Sequence, residues 1–106
     1  MSKIFLFLLL VLNLNASYTE VHKWEKGMTY LSLLSKLNLP SRELYWNLTR
    51  EDQRLTEEIC DCTEYKIVRK DNGDVEQVFI PIKNDLTIHI YVTEKCFWLH
   101  IKKHSQ

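Results

Sequence analysis

Tyr65-Lys66-Ile67-Val68-Arg69-Lys70-Asp71-Asn72-Gly73-Asp74-Val75-Glu76-Gln77-Val78-Phe79-Ile80 is the stretch whose reading decides the fold. Apolar residues alternate with polar ones on both sides of an Asn-Gly pair. That pattern is the strongest short-range signal for a β-hairpin, because both residues of its tight turn take positive φ. With Asn72 and Gly73 as the loop, Tyr65 faces Ile80, Ile67 faces Val78 and Arg69 faces Glu76. One face of the hairpin is then apolar, closed by an ion pair near the turn.

Working outward, Pro81 suits a strand end, and Lys83-Asn84-Asp85 reads as a second turn. Leu86, Ile88, Ile90 and Val92 then alternate with Thr87, His89 and Tyr91 in another strand. Thr93-Glu94-Lys95 turns into a strand from Cys96 to Ile101, and Lys102 to Gln106 reads as a flexible tail. Upstream the period changes. Tyr18 to Lys26 predicts a short strand ending at Gly27, and Thr29 is placed to cap a helix whose apolar face is Tyr30, Leu31, Leu33, Leu34 and Leu37. That helix stops before Pro40. A second segment from Ser41 carries Leu44, Tyr45 and Leu48, and Thr49-Arg50-Glu51-Asp52 resembles a capping box opening a short third helix. The expected class is α+β, with short N-terminal helices packed on a small antiparallel sheet over residues 18–101.

The first 16 residues have a different character. Met1-Ser2-Lys3 is a short positive start, Ile4 to Leu12 is wholly apolar, and Asn15-Ala16-Ser17 offers small residues for cleavage. This is the layout of a signal peptide, 1–16, and the run is far short of the roughly 20 apolar residues of a membrane span. The expectation is an exported, periplasmic protein that meets a membrane only through an uncleaved signal sequence. Lys+Arg number 14 and Asp+Glu number 14, so no cationic excess invites nucleic acid.

Export places the three cysteines in an oxidising compartment. Cys60 and Cys62 are too close to bridge each other without strain, so the expected bridge joins one of them to Cys96, with Cys62–Cys96 the candidate pairing. The spacing does not match the paired cysteines of a structural zinc site. No catalytic constellation stands out. His100 and His104 are four apart but lack a glutamate between them, and no G-x-S-x-G or phosphate-cradling glycine loop occurs among two glycines. Aromatic residues offer a binding surface instead. Tyr45 and Trp46 are adjacent, so one of them is expected to face a ligand or partner while the other faces the core.

The order of features between Trp24 and Tyr91 resembles a known family. Trp24-Glu25-Lys26-Gly27-Met28-Thr29-Tyr30-Leu31, then Leu44-Tyr45-Trp46-Asn47-Leu48-Thr49-Arg50-Glu51-Asp52, then the hairpin and Leu86-Thr87-Ile88-His89-Ile90-Tyr91 are similar to the LysM-like N-terminal domain of periplasmic M23-family peptidoglycan metallopeptidases of the cell-shape-determining type. The resemblance implies a domain that precedes a zinc peptidase acting on the stem peptides of the cell wall. That zinc is held by H-x-x-x-D and H-x-H motifs, neither of which occurs in this chain, so no cofactor and no enzymatic activity are expected of it. The implied partners are peptidoglycan or a cell-wall peptidase domain. Glu51 or Asp52 is the carboxylate that would inhibit such a peptidase at its zinc, whereas the local reading makes both helix-capping acids. The expected function is a non-catalytic exported module for wall binding or regulation, truncated or stand-alone. The alternative is a small secreted protein-interaction or inhibitor domain without wall affinity.

Overall fold

The computed structural model describes residues 17–83, 85–93 and 96–103. Five strands form one sheet in chain order, every neighbouring pair antiparallel: β1 (Tyr18–Lys23), β2 (Glu64–Arg69), β3 (Val75–Pro81), β4 (Leu86–Val92) and β5 (Phe97–Lys103). Between β1 and β2 lie helix α1 (Tyr30–Lys36), a π-helical turn (Arg42–Trp46) and helix α2 (Arg50–Leu55). The α+β class is therefore as expected. The expected signal peptide, residues 1–16, and the end of the tail, residues 104–106, lie outside the described residues, as do Asn84, Glu94 and Lys95 of the two turns.

Capping chemistry defines the start and end of α1. Thr29 Oγ1 accepts from Ser32 N at 3.0 Å and Thr29 N donates to Ser32 Oγ at 2.9 Å, a reciprocal capping box. At the other end Asn38 takes φ 58°, Leu39 N donates to Leu34 O at 2.8 Å and Asn38 N to Ser35 O at 3.1 Å. That is the Schellman closure, after which Pro40 cannot continue the helix. The segment from Ser41 wraps more loosely than an α-helix, as Asn47 N reaches back to Arg42 O at 2.8 Å, five residues away.

The strand period of two splits the sheet into two faces. On the inner face Ile67, Val78, Ile90 and Leu99 form one cross-strand row, and Ile80, Ile88 and Ile101 another. Leu33, Leu34 and Leu44 pack onto these rows from the helical segment, and together with Val78, Ile80, Ile88 and Ile90 they are fully buried. Each such side chain contributes roughly 1.5–3 kcal/mol relative to exposure, which makes this face the main source of stability.

Three details correct the sequence-based expectations. Asn72 does not have positive φ; only Gly73 does, at 94°, and Gly73 N donates to Lys70 O at 2.9 Å. The connection is thus a turn followed by a glycine bulge rather than a two-residue loop of mirror-image type. The bulge shifts the register between Val68 and Arg69, so Ile67 faces Val78 as expected but Arg69 faces Val75 instead of Glu76. The last strand runs to Lys103 rather than ending at Ile101, since Lys102 and Lys103 pair with Thr87 and Leu86.

The disulfide expectation fails as well. Cys60, Cys62 and Cys96 are free and exposed. Cys62 precedes β2, whereas Cys96 precedes β5 at the opposite end of the sheet and three strands away. At about 4.8 Å per strand and about 3.3 Å per residue the two lie on the order of 20 Å apart. A disulfide needs Cα atoms within about 7 Å.

Candidate functional site

The sequence-predicted residues gather on the helical segment. Tyr45 closes the π turn half-buried, its ring 6.2 Å from Tyr30 and 4.8 Å edge-on from Trp46. It lines a groove of about 390 Å³ with Trp24, Met28, Leu31 and Glu57. Trp46 points the other way and is 62% exposed, at the edge of a second hollow beside Asn38 and Ser41. Adjacent aromatics on one turn cannot share a face, and here one serves a groove while the other meets solvent.

Glu51 and Asp52 stand in the first turn of α2. Thr49 Oγ1 accepts from Asp52 N at 3.1 Å, which is one half of the expected capping box; the reciprocal bond is not formed. Glu51 is exposed and Asp52 half-exposed, and among the described residues neither carboxylate enters an ion pair. Gln53 fixes α2 to the π turn by donating from Nε2 to Tyr45 O at 3.1 Å. A buried bond anchors the turn from beneath: Tyr30 Oη donates to Leu44 O at 2.8 Å, and burial pushes the Tyr30 phenol far above its ordinary pKa. The two aromatics and two carboxylates are thus brought onto one helical segment.

Two features of the sheet were not anticipated. His22 lies 3.1 Å from Glu20 Oε1 through its Nε2 and stacks on Tyr65. The hydrogen bonds from His22 first, and Arg69 second, hold the Glu20 carboxyl below its usual range. The outer face of β3, β4 and β5 carries a row of rings. His89, only 9% exposed, stacks on Phe79 at 4.1 Å and packs against Tyr91 at 3.8 Å, with Nε2 donating to Gln77 Oε1 at 2.7 Å. Burial, then the positive charge of Lys102 and the neighbouring His100, lower the His89 pKa. The signal for this second surface was available, since the alternate positions of β4 and β5 hold His89, Tyr91, Trp98 and His100 rather than small polar residues.

Among the described residues no group of three or more His, Cys, Asp or Glu side chains is arranged to hold a metal ion. No helix among them is long and apolar enough to cross a membrane.

A five-stranded meander with a capped helical insertion between its first two strands defines a small α+β module. The chain belongs to the Csd3 N-terminal family, whose match extends over residues 21–102. Two solved structures of Helicobacter pylori Csd3 are similar to it. The hexagonal crystal form has 36% identity and a TM-score of 0.71, covering 77% of this chain and 22% of that one. The orthorhombic form has 35% identity with the same TM-score and coverage. The chain therefore spans about a fifth of the length of the solved relative. None of the curated proteins searched matches it.

Proposed function

We propose that this chain is a non-catalytic, exported front module of an M23-type peptidoglycan peptidase, and that it regulates a peptidase catalytic domain by occupying it. The observation that supports this most is the match of residues 21–102 to the N-terminal part of Csd3, a protein more than four times as long as the matched region. On this reading residues 18–101 form the LysM-like domain. Glu51, with Asp52 beside it, supplies a carboxylate suited to the open coordination position that catalytic zinc keeps for water. Tyr45 in its groove and the exposed Trp46 each offer a partner an apolar contact on their own side of the preceding turn, as aromatic anchors do at regulatory interfaces. The zinc belongs to the peptidase domain, and this chain contributes only the group that blocks it.

The reading includes export to the periplasm through residues 1–16 and no role in nucleic-acid binding. Purified residues 17–106, titrated into an M23 peptidase domain digesting purified sacculi, are expected to slow muropeptide release. Glu51→Gln should relieve that inhibition and Asp52→Asn should relieve it less. No slowing, with the chain retained on sacculi instead, would assign the module to wall binding. Neither effect would leave the rival reading, a secreted interaction domain without wall affinity.

A further inference from the structure

The sheet face turned away from the helices holds a basin of about 240 Å³ lined by Glu64, Lys66, Phe79, Pro81 and Thr87. Its floor is apolar, from Phe79 and Pro81. Thr87 is 7% exposed, and its Oγ1 is buried without any hydrogen-bond partner. Buried hydroxyls are nearly always paired, so an orphan beneath a concave surface is unmet hydrogen-bonding capacity. The charge around it is uneven. Lys66 lines the basin and Lys102 lies directly across from Thr87 in the β4–β5 register, while Glu64 is the one acid of the lining. On a chain of zero formal net charge this is a local cationic excess.

We propose that this basin binds a short peptide by its free C-terminal carboxylate. The carboxylate accepts from Lys66 and Lys102 and, after rotation about the Thr87 χ1 angle, from the Thr87 hydroxyl. The last side chain, of methyl size, rests on Phe79 and Pro81, and Glu64 receives an amide N–H of the preceding residue. The volume equals roughly eight water molecules, which suits one small residue and its carboxylate rather than a long chain. Two lysines beside a glutamate favour a single negative charge over a polyanion, because Glu64 repels the second charge. The assignment is independent of the regulatory reading, which concerns Glu51 on the helical side of the sheet.

The test is a titration of ¹⁵N-labelled protein, residues 17–106, with N-acetyl-alanyl-alanine and with its C-terminal amide, followed by backbone amide shifts. The acid is expected to give saturable shifts at Lys66, Phe79 and Thr87. The amide should bind at least roughly tenfold more weakly, as should the acid to Lys66→Gln, because each loses a charge-assisted hydrogen bond. Thr87→Val keeps the side-chain shape and removes the orphan hydroxyl, so it should raise the melting temperature while weakening the acid. The proposal is overturned if no saturable shift occurs below about 20 mM, the weakest range useful for recognition. Equal binding of acid and amide, or unchanged binding by a folded Thr87→Val, also overturns it. A failure here leaves the Glu51 inhibition assay unaffected, so the two readings fall separately.

Discussion

Arg69 Nε donates to Glu20 Oε1 at 3.0 Å, joining the edge strand β1 to the base of the β2–β3 hairpin, and its Nη1 reaches Gly73 O at 2.9 Å. One guanidinium thus ties three separate parts of the chain. Its expected hairpin partner, Glu76, instead accepts from Ser17 Oγ at 3.0 Å. Arg69→Met should cost about 1–2 kcal/mol in urea unfolding, because two charge-assisted bonds are lost at a partly exposed site. The pH dependence has a definite sign. Since the Glu20 carboxyl is held below its usual range, its contribution is present above the ordinary carboxylate pKa of 4.5 and is lost as pH falls through the folded-state value. In Arg69→Met that acid-side loss should shrink, which unfolding curves between neutral pH and pH 3 will show.

The hairpin turn depends on one residue. A Cβ at Gly73 would meet nothing within 4 Å, so Gly73→Ala isolates the backbone strain of φ 94° from any clash. A loss of about 1–2 kcal/mol is expected by thermal or denaturant unfolding. The same substitution should leave the far end of the sheet, around Pro81 and Leu86, with unchanged amide chemical shifts.

Tyr30→Phe removes the buried donor to Leu44 O and leaves ring packing in place. The expected cost is about 1–2 kcal/mol, with no change in the denaturant slope. Because this bond anchors the π turn, amide exchange of Leu44 to Asn47 should accelerate more than that of the sheet.

His89 makes stability pH-dependent on the neutral side. Its folded-state pKa is lowered, by burial first and by Lys102 and His100 next. The unfolded chain therefore binds the proton more readily, and stability is full above about pH 6.5 and falls as pH drops toward the folded-state value. The groups facing it are Gln77, Phe79, Tyr91, His100 and Lys102. His89→Gln should flatten this segment of the stability curve, as measured by denaturant midpoints from pH 8 to pH 5.

Much of the fold was legible because it rests on local rules. The alternation from Tyr65 to Ile80 and from Leu86 to Val92, the Thr29 cap and the stop before Pro40 all express neighbouring residues alone. The misreadings share a cause, which is that each depends on partners distant in sequence. Lys102 and Lys103 look like solvated tail until the start of β4 supplies ladder partners, and the Cys62–Cys96 pairing cannot be judged without strand order. Asn-Gly marks the turn, but whether one or both residues take positive φ depends on the bulge that frees Arg69 to reach Glu20. At the candidate site, the cap at Thr49 and the exposure of Trp46 follow from the helical pattern. The orphan hydroxyl of Thr87 does not, since it exists only once β3 and β5 flank it.

The regulatory account is tested most directly by calorimetric titration of residues 17–106 into an M23 peptidase domain, zinc-loaded and zinc-free. The account predicts tighter binding to the zinc-loaded form by at least roughly tenfold, the scale of one lost charge-assisted contact, and loss of that difference in Glu51→Gln. Equal affinity for both forms, or no binding to either, would contradict it.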